Sequence, residues 1–239
     1  MASSSVPPAS VWGVDSARRA SDNDVNGTDG LTSVGQRAGA APAFWGRYIG
    51  GNYSLNAGEA AFLQAGGCKI LLVYNGTSNT AGSVLGGFAE GQADANNAAI
   101  AAAALNVPPN TAIYADIEGS WQVTSDWLRG WATAMVQSYL IAGFYCDCRP
   151  TSPFAQAFCD AQAMEPAVAA SLLWSMQPEP ASLRCAAGAN APAFNPAVPG
   201  CGGNLVLWQY SEDCWEDTLG ANAGIDMDVA TNTAIASMW

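Results

Sequence analysis

The stretch that decides how this chain folds and functions is Ala112-Ile-Tyr-Ala-Asp-Ile-Glu118, an apolar run that ends in two carboxylates directly before Gly119. Because side chains alternate along a strand with a period of two, Asp116 and Glu118 are predicted to point to the same side, with Cα atoms about 6.6 Å apart. Like charges at that distance raise the pKa of at least one carboxyl group, as general acid catalysis near neutral pH requires. The alternative is a solvated strand end whose acids bind nothing.

Composition excludes several classes of function. Hydrophobic residues make up 50% of the 239 residues and charged residues 12%, which predicts a well-filled core. The formal net charge of −12 argues against nucleic acid as a partner, because phosphates require a basic surface. No apolar run approaches the roughly 20 residues of a membrane span. Histidine is absent, which excludes Ser-His-Asp and Cys-His catalysis and the usual His-containing zinc sites. Acid–base chemistry must therefore fall to Asp, Glu, Tyr, Cys or the single lysine, Lys69.

The cysteines indicate an oxidising compartment. Six of the seven lie in the second half of the chain, and these are Cys146, Cys148, Cys159, Cys185, Cys201 and Cys214. The prediction is three disulfides and one buried thiol, Cys68, and therefore a secreted protein. Spacing does not give the connectivity, although a Cys185–Cys201 bond would close a suitable loop. A metal site built on Cys146, Cys148 and Cys159 is the alternative, but that spacing matches no usual zinc pattern.

Strand-like and helix-like segments alternate along the chain. The predicted strands are 11–15, 44–49, 69–74, 112–118, 141–145, 171–175, 205–210 and 224–229. The predicted helices are 31–38, the segment from a cap at Asn56 to Gly66, 87–105, a segment starting at Thr124 or Ser125, and 154–164. Residues 177–204 are rich in Pro, Ala, Gly and Cys, which indicates a loop pinned by a disulfide.

This order predicts an α/β fold, an irregular (β/α) TIM-type barrel with five βα units followed by three strands with little helix. Residues 11–239 are expected to form a single barrel domain after a flexible segment, 1–10. Chemistry in such barrels lies at the C-terminal strand ends, where the acids of this chain are expected to converge. Aromatic residues are expected to join them, namely Tyr48, Tyr74, Tyr145, Trp174, Trp208 and Tyr210. Acids ringed by aromatic side chains are typical of a sugar-binding cleft, and core packing is the alternative for each aromatic residue.

Four motifs in order carry a resemblance to a known family. They are Gly13-Val-Asp15, Tyr114-Ala-Asp-Ile-Glu118, Trp208-Gln-Tyr210 and Ile225-Asp-Met-Asp228. With them the chain resembles glycoside hydrolase family 25, lysozyme-like muramidases with an irregular barrel of five βα units and three further strands. The middle of the chain resembles still more closely a related group, bacterial glycoside-hydrolase-like domains of uncharacterised function. The matching segments there are Gly46-Arg-Tyr-Ile-Gly50, Gly91-Gln-Ala-Asp94 and Val107-Pro-Pro-Asn-Thr-Ala-Ile-Tyr114.

The resemblance covers roughly residues 11–229 and implies roles for individual residues. Glu118 would be the general acid, and Asp116 would orient an N-acetyl group or stabilise positive charge at the anomeric carbon. The residues expected to bind substrate are Asp15, Arg47, Tyr48, Tyr74, Trp174, Gln209, Tyr210, Asp226 and Asp228. The chain departs from family 25 in having Arg47-Tyr-Ile-Gly-Gly51 where an acidic strand end is usual, and Asp228 where Asn is usual.

The sequence therefore predicts a secreted, muramidase-like glycoside hydrolase that cleaves a β-linked N-acetylated glycan such as peptidoglycan. We expect a monomer that needs no cofactor and no metal ion, and whose partner is its polysaccharide substrate. One alternative is a non-catalytic glycan-binding protein, or a degenerate enzyme, on the same barrel. A further alternative is a structural or interaction component that uses the 177–204 loop.

Overall fold

Eight strands close into a barrel in chain order, as seen in a computed structural model that describes residues 10–216 and 224–239. The first seven strands run parallel to one another, while the eighth runs antiparallel to both of its neighbours, the seventh and the first. The strands are β1 (Ser10–Asp15), β2 (Phe44–Ile49), β3 (Lys69–Tyr74), β4 (Ala112–Asp116), β5 (Ile141–Cys146), β6 (Leu172–Ser175), β7 (Asn204–Cys214) and β8 (Ile225–Thr231). Of the segment expected to be flexible, residues 1–9 lie outside the described residues, and Ser10 begins β1.

Helices follow each of the first five strands, which confirms the predicted irregular TIM-type barrel. They are α1 (Gly30–Ala38), α2 (Ala57–Ala65), α3 (Phe88–Ala104), α4 (Ser125–Gln137) and α5 (Pro153–Met164). The predicted cap at Asn56 is present, since its side chain accepts a hydrogen bond from the backbone N–H of Glu59. Two five-residue helices were not predicted, α6 (Pro166–Ala170) and α7 (Asn232–Ala236), because neither is long enough to show a helical period. No helix in the described ranges is long and apolar enough to cross a bilayer.

Helices α3 and α4 pack unusually close together. A Cβ atom added to Gly91 would lie 2.1 Å from the carbonyl oxygen of Trp127, so only glycine fits there. The indole N–H of Trp127 donates to Asp94 at 3.0 Å, and its ring stacks on that of Trp131 at 5.6 Å. The Gly91-Gln-Ala-Asp94 motif is thus explained by helix packing on the outside of the barrel.

Alternation along the strands divides the core into an inner and an outer part. Side chains such as Phe44, Leu71 and Tyr114 fill the barrel interior. Their sequence neighbours, such as Trp45 and Ile70, pack outward beneath the helices. This period of two decides which residues near the strand ends reach the mouth of the barrel.

The 177–204 loop covers the outer face of β7, where a regular barrel has a helix. Trp208 donates its indole N–H to the carbonyl oxygen of Pro178 at 3.0 Å, and the Tyr210 hydroxyl donates to the carbonyl oxygen of Ala186. Two disulfides hold the loop in place, Cys159–Cys201 and Cys185–Cys214. The expectation of a loop pinned by disulfide is therefore confirmed.

The predicted disulfide count and pairing are wrong. Cys185 bonds to Cys214 rather than to Cys201, because the loop lies along β7 with Cys185 next to the end of that strand. Cys68 is a buried thiol as expected, but Cys146 and Cys148 are also free thiols, with sulfur atoms 3.5 Å apart. Cys159 is engaged by Cys201 and so cannot complete a metal site with them.

Candidate active site

A pocket of about 170 Å³ opens at the mouth of the barrel, at the C-terminal ends of the parallel strands. The residues that line it are Asp15, Tyr48, Val73, Asp116, Glu118, Tyr145, Trp174, Gln209, Glu212, Asp213 and Asp226. Acids from β1, β4, β7 and β8, far apart in sequence, meet in this pocket. It is the place where the chemistry of a barrel of this type is expected.

The acid pair from β4 forms one side of the pocket. Strand β4 ends at Asp116, two residues earlier than predicted, yet Glu118 still reaches the pocket because the backbone N–H of Ile117 keeps an extended path by donating to the carbonyl oxygen of Tyr145 at 3.0 Å. Only 8% of Asp116 is exposed, whereas Glu118 is exposed. Among the described residues, no side chain or backbone group donates a hydrogen bond to either carboxyl group.

Burial and mutual repulsion shift the pKa values of this pair upward. Burial raises the pKa of Asp116 to about 7, and the nearby charges of Glu118 and Asp15 add to the effect. The pKa of Glu118 is also raised, first by partial loss of hydration and then by the charge of Asp15. The pair therefore retains a proton near neutral pH, which is the property required of a general acid.

The opposite side of the pocket holds its acids with protein hydrogen bonds. The side-chain amide of Gln209 donates to Asp15 at 3.0 Å and to Asp226 at 3.4 Å, while its carbonyl oxygen accepts from the Tyr145 hydroxyl at 2.7 Å. Asp226 also accepts from the backbone N–H of Asp213 at 2.8 Å. Burial raises the pKa of Asp226 to about 9, with the charge of Asp15 as the next cause, and burial also raises the pKa of Asp15.

Strand direction and a glycine place Asp15 and Asp226 side by side. Because β8 is antiparallel to β1, Asp226 reaches the mouth from the beginning of its strand, where it pairs with Asp15. The sequence pattern instead predicts this acid at the C-terminal end of its strand. On the other side, Gly46 pairs with Asp15, and a Cβ atom on Gly46 would lie 2.4 Å from that of Asp15. The Gly46 motif thus leaves the space that Asp15 occupies.

Asp228 lies one layer deeper than the pocket. It is 0% exposed, and its Oδ1 atom accepts the indole N–H of Trp174 at 2.9 Å. Its Oδ2 atom has no N–H or hydroxyl partner, and burial together with the charge of Asp15 raises the pKa of Asp228 well above its usual range. We therefore assign Asp228 a proton, which it donates to the carboxylate of Asp15. Asp228 lies two positions further along β8 than Asp226 and does not line the pocket, so the expectation that it contacts substrate is not met.

Comparison with known proteins agrees with this geometry. The family model described as "Rv2525c-like, glycoside hydrolase-like domain" matches residues 38–230. The chain belongs to this family. The predicted likeness to glycoside-hydrolase-like domains of uncharacterised function is thereby confirmed. No curated protein matches the chain.

Solved structures similar to this Rv2525c-like chain include an uncharacterised protein of B. stearothermophilus, at 29% identity and a TM-score of 0.81 over 96% of this chain and 100% of that one. The Tat-secreted protein Rv2525c of Mycobacterium tuberculosis, in complex with L-tartrate, matches at 17% identity and a TM-score of 0.58 over 91% and 94%. A bacterial lysozyme from Streptomyces coelicolor matches at 16% identity and a TM-score of 0.52 over 95% and 96%. The last two likenesses show the shared fold alone.

Three residues expected to bind substrate point away from the pocket of this Rv2525c-like barrel. Arg47 is 1% exposed and forms an ion pair with Glu59 at 2.8 Å. The ring of Tyr74 packs against Trp131 at 5.8 Å, and Tyr210 lies beneath the 177–204 loop. Each is one residue away from an inward-facing position, so strand alternation turns it outward.

The inward-facing neighbours of those three residues do line the pocket, and these are Tyr48, Val73 and Gln209. Trp174 lines it as well and meets the ring of Tyr145 edge-on at 4.6 Å. The Tyr48 hydroxyl has no hydrogen-bond partner among the described residues, and burial, followed by the charges of the surrounding acids, raises the pKa of Tyr48. It therefore keeps its proton and is free to donate to a ligand.

Two acids of the pocket were not predicted, Glu212 and Asp213. The seventh strand is predicted to end at Tyr210, whereas β7 continues to Cys214 through irregular pairing with β8. The polar run Ser211-Glu-Asp-Cys214 is typical of a loop, so composition gave no sign of a strand there. Within the described part of the chain, no three acids or cysteines are grouped in a way that would hold a metal ion.

Proposed function

We propose that this protein is a glycoside hydrolase of the lysozyme type, cleaving a β-linked amino-sugar glycan of the N-acetylated class, such as peptidoglycan. The observation that carries the proposal is the pair Asp116 and Glu118, two carboxyl groups with raised pKa values and no protein donors, at the mouth of a barrel. The fold shared with a bacterial lysozyme supports the same conclusion. Histidine is absent, and of the other acids on the pocket wall that have raised pKa values, Asp15 and Asp226 already accept hydrogen bonds from Gln209.

The two carboxyl groups would have different roles in the reaction. Glu118 is exposed and lies beyond the strand end, so it is suited to protonate the leaving oxygen as general acid. In the reactive form the proton of the pair would be on Glu118, and Asp116, buried at the strand end and ionised, would stabilise positive charge at the anomeric carbon as the bond breaks. Asp15 and Asp226, which accept hydrogen bonds from Gln209, would bind hydroxyl groups of the same sugar. They would also keep the electrostatic potential of the pocket negative.

We propose also that residues 11–239 act as one domain, as a secreted monomer. Two disulfides support an oxidising compartment, and a relative of the same fold is named as Tat-secreted. Light scattering of the oxidised protein would reveal a dimer if the monomer proposal were wrong.

The decisive experiment is reducing-end release from purified peptidoglycan and N-acetylated chitooligosaccharides. Glu118→Gln removes the acid and keeps the shape of the side chain, so we expect kcat/KM to fall about 10²- to 10⁴-fold. The matched control is Glu165→Gln at the junction of α5 and α6, where glutamine retains the oxygen that accepts from Ala167, and it should cleave like the wild type. Equal turnover by Glu118→Gln and the wild type would falsify the assignment.

One observation favours a non-catalytic glycan-binding protein as the second candidate. Tyr48 occupies the pocket wall at the end of β2, where family 25 usually has an acidic strand end. Should the wild type bind these oligosaccharides and release no product over days, this second function replaces the first.

A further inference from the structure

We infer that the pocket selects sugars with a free ammonium group, so that within an amino-sugar glycan it prefers de-N-acetylated residues to N-acetylated ones. This inference rests on the proposed function in one respect, the assumption that the ligand is an amino-sugar glycan. It goes further by naming the sugar residue that the acids around the pocket recognise.

The charge of the pocket wall is the first observation. Among the residues that the structure describes, the pocket is lined by six carboxyl groups and by no lysine or arginine, the acids being Asp15, Asp116, Glu118, Glu212, Asp213 and Asp226. The cation nearest in sequence to the wall, Arg47, points outward and is neutralised by Glu59 at 2.8 Å. A ligand with its own carboxylates would be repelled from this pocket, whereas a cationic ligand would be attracted.

The second observation is an unsatisfied acid aimed into the pocket. Asp116 lines the wall and is only 8% exposed, yet it accepts no hydrogen bond from any described residue. A buried carboxylate without donors is costly, and this one responds by holding its proton up to a pH of about 7. An ammonium group offers three N–H donors and a positive charge, whereas an acetamido group offers one N–H and no charge.

The other features of the pocket wall favour a sugar over a metal ion as the ligand. No three acids of the described residues are grouped in a way that would hold a metal ion. Tyr48 and Tyr145 contribute aromatic rings to the wall, and such rings pack on sugars and attract ammonium groups. A sugar ring that carries an ammonium group would contact both the acids and the aromatic rings of the pocket wall.

Binding of an ammonium group should displace protons from the pocket. Asp116 and Asp226, with pKa values of about 7 and about 9, are partly or largely protonated at pH 7. The groups that face them are Asp15 on β1, Tyr48 on β2, Glu118 after β4, Tyr145 on β5, and Glu212 and Asp213 on β7. All of these acids repel a second negative charge, so a bound cation lowers both pKa values and releases protons. An N-acetylated sugar has no such effect.

The test is calorimetric titration of wild type and of Glu118→Gln with two oligosaccharides of equal length, a chitooligosaccharide and the corresponding glucosamine oligomer. We expect the glucosamine oligomer to bind about tenfold more tightly at pH 7, more weakly as salt increases, and with proton release, seen as a dependence of the heat on the buffer. Glu212→Gln combined with Asp213→Asn should reduce the preference severalfold. The matched control is Asp126→Asn combined with Glu165→Gln, remote from the pocket, which should leave it unchanged.

The two proposals fail in different ways. Equal or tighter binding of the N-acetylated oligomer, or binding of the glucosamine oligomer without proton release, overturns the inference. Absence of cleavage of either oligomer and of peptidoglycan counts against the hydrolase, whatever the ratio of affinities. A preference that persists in the Glu212 and Asp213 double variant but disappears at high salt would locate the selection in the inner acids.

Discussion

The two sides of the pocket differ in how the protein holds their acids. On the β1 and β8 side, Gln209 donates to Asp15 and Asp226, and Trp174 donates to Asp228. On the β4 side, Asp116 and Glu118 receive no hydrogen bond from the described residues. The fold thus supplies hydrogen-bond donors to Asp15, Asp226 and Asp228 and leaves the carboxyl groups of Asp116 and Glu118 free to accept donors from a ligand.

The same difference decides how the acids on each side of the pocket affect the stability of the fold. Protein donors offset part of the cost of burying a carboxyl group, whereas nothing in the protein offsets that cost for a buried carboxyl group without donors once it loses its proton. Active sites commonly combine high reactivity with a local cost in stability. Neutralising Asp116 should therefore raise stability at high pH, whereas removing a hydrogen-bonding group on the β1 and β8 side should lower it.

The largest of the predicted effects on stability is expected on the β4 side of the pocket, at Asp116. Because its pKa rises from 3.8 to about 7, the folded protein binds this proton more tightly than the unfolded chain. Stability contributed by the proton is therefore present at pH 4 and is lost as the pH rises toward 7, a loss of about 4 kcal/mol. Asp116→Asn lacks the titration, so it should match the wild type near pH 4 and exceed its free energy of unfolding by up to about 4 kcal/mol at pH 8.

Urea unfolding at pH 4, 6 and 8 measures this difference. Asp126→Asn is the control, since it removes an acid with an exposed side chain on α4, and its stability should follow that of the wild type at every pH. If the curves of Asp116→Asn and the wild type run parallel, burial does not raise the pKa of Asp116 as stated. Activity should fall in the same variant, in keeping with the proposed role.

Much of the fold was predictable because it depends on local patterns. Apolar runs such as 69–74 and caps such as Asn56 gave the strands and helices of the first five units nearly to the residue. The acids Asp116 and Asp15 were identified as members of one site because parallel strands end on the same side of a barrel. Asp226 on β8 lies at that site for a different reason, because β8 is antiparallel to β1, and no local sequence pattern reveals the direction of that strand.

The errors at the site come from the alternation of side chains. Arg47, Tyr74 and Tyr210 have the chemistry of a sugar site, but each faces outward, and a change of one position reverses the face. Hydrophobicity does not show which alternate residues of a strand face the barrel interior when the strand is buried on both sides, because both faces are apolar. The disulfide partners depend in the same way on how the 177–204 loop lies on β7, a long-range contact that cysteine spacing does not encode.

An intermediate effect on stability is expected on the β1 and β8 side of the pocket, at Asp228. Asp228→Asn supplies an acceptor for Trp174 and an N–H donor for Asp15 without having to hold a proton, so it should be at least as stable as the wild type at pH 7. Asp228→Ala leaves the buried indole N–H of Trp174 without a partner and opens a small cavity. Its free energy of unfolding should be about 2–3 kcal/mol below that of Asp228→Asn. Equal stability of these two variants, neither of which titrates, would contradict the hydrogen bonds assigned to Asp228.

The smallest effect compares two tyrosines of the same pocket. The Tyr145 hydroxyl donates to Gln209 at 2.7 Å, and Tyr145→Phe should lower the free energy of unfolding by about 1 kcal/mol because the amide oxygen loses its partner. The Tyr48 hydroxyl has no partner in the described residues, so Tyr48→Phe should change stability by less than about 0.5 kcal/mol. Glycan affinity should show the reverse order, with the greater loss in Tyr48→Phe, since that hydroxyl is the one free to donate to a ligand. Equal losses of stability in the two variants would mean that the protein holds both sides of the pocket alike.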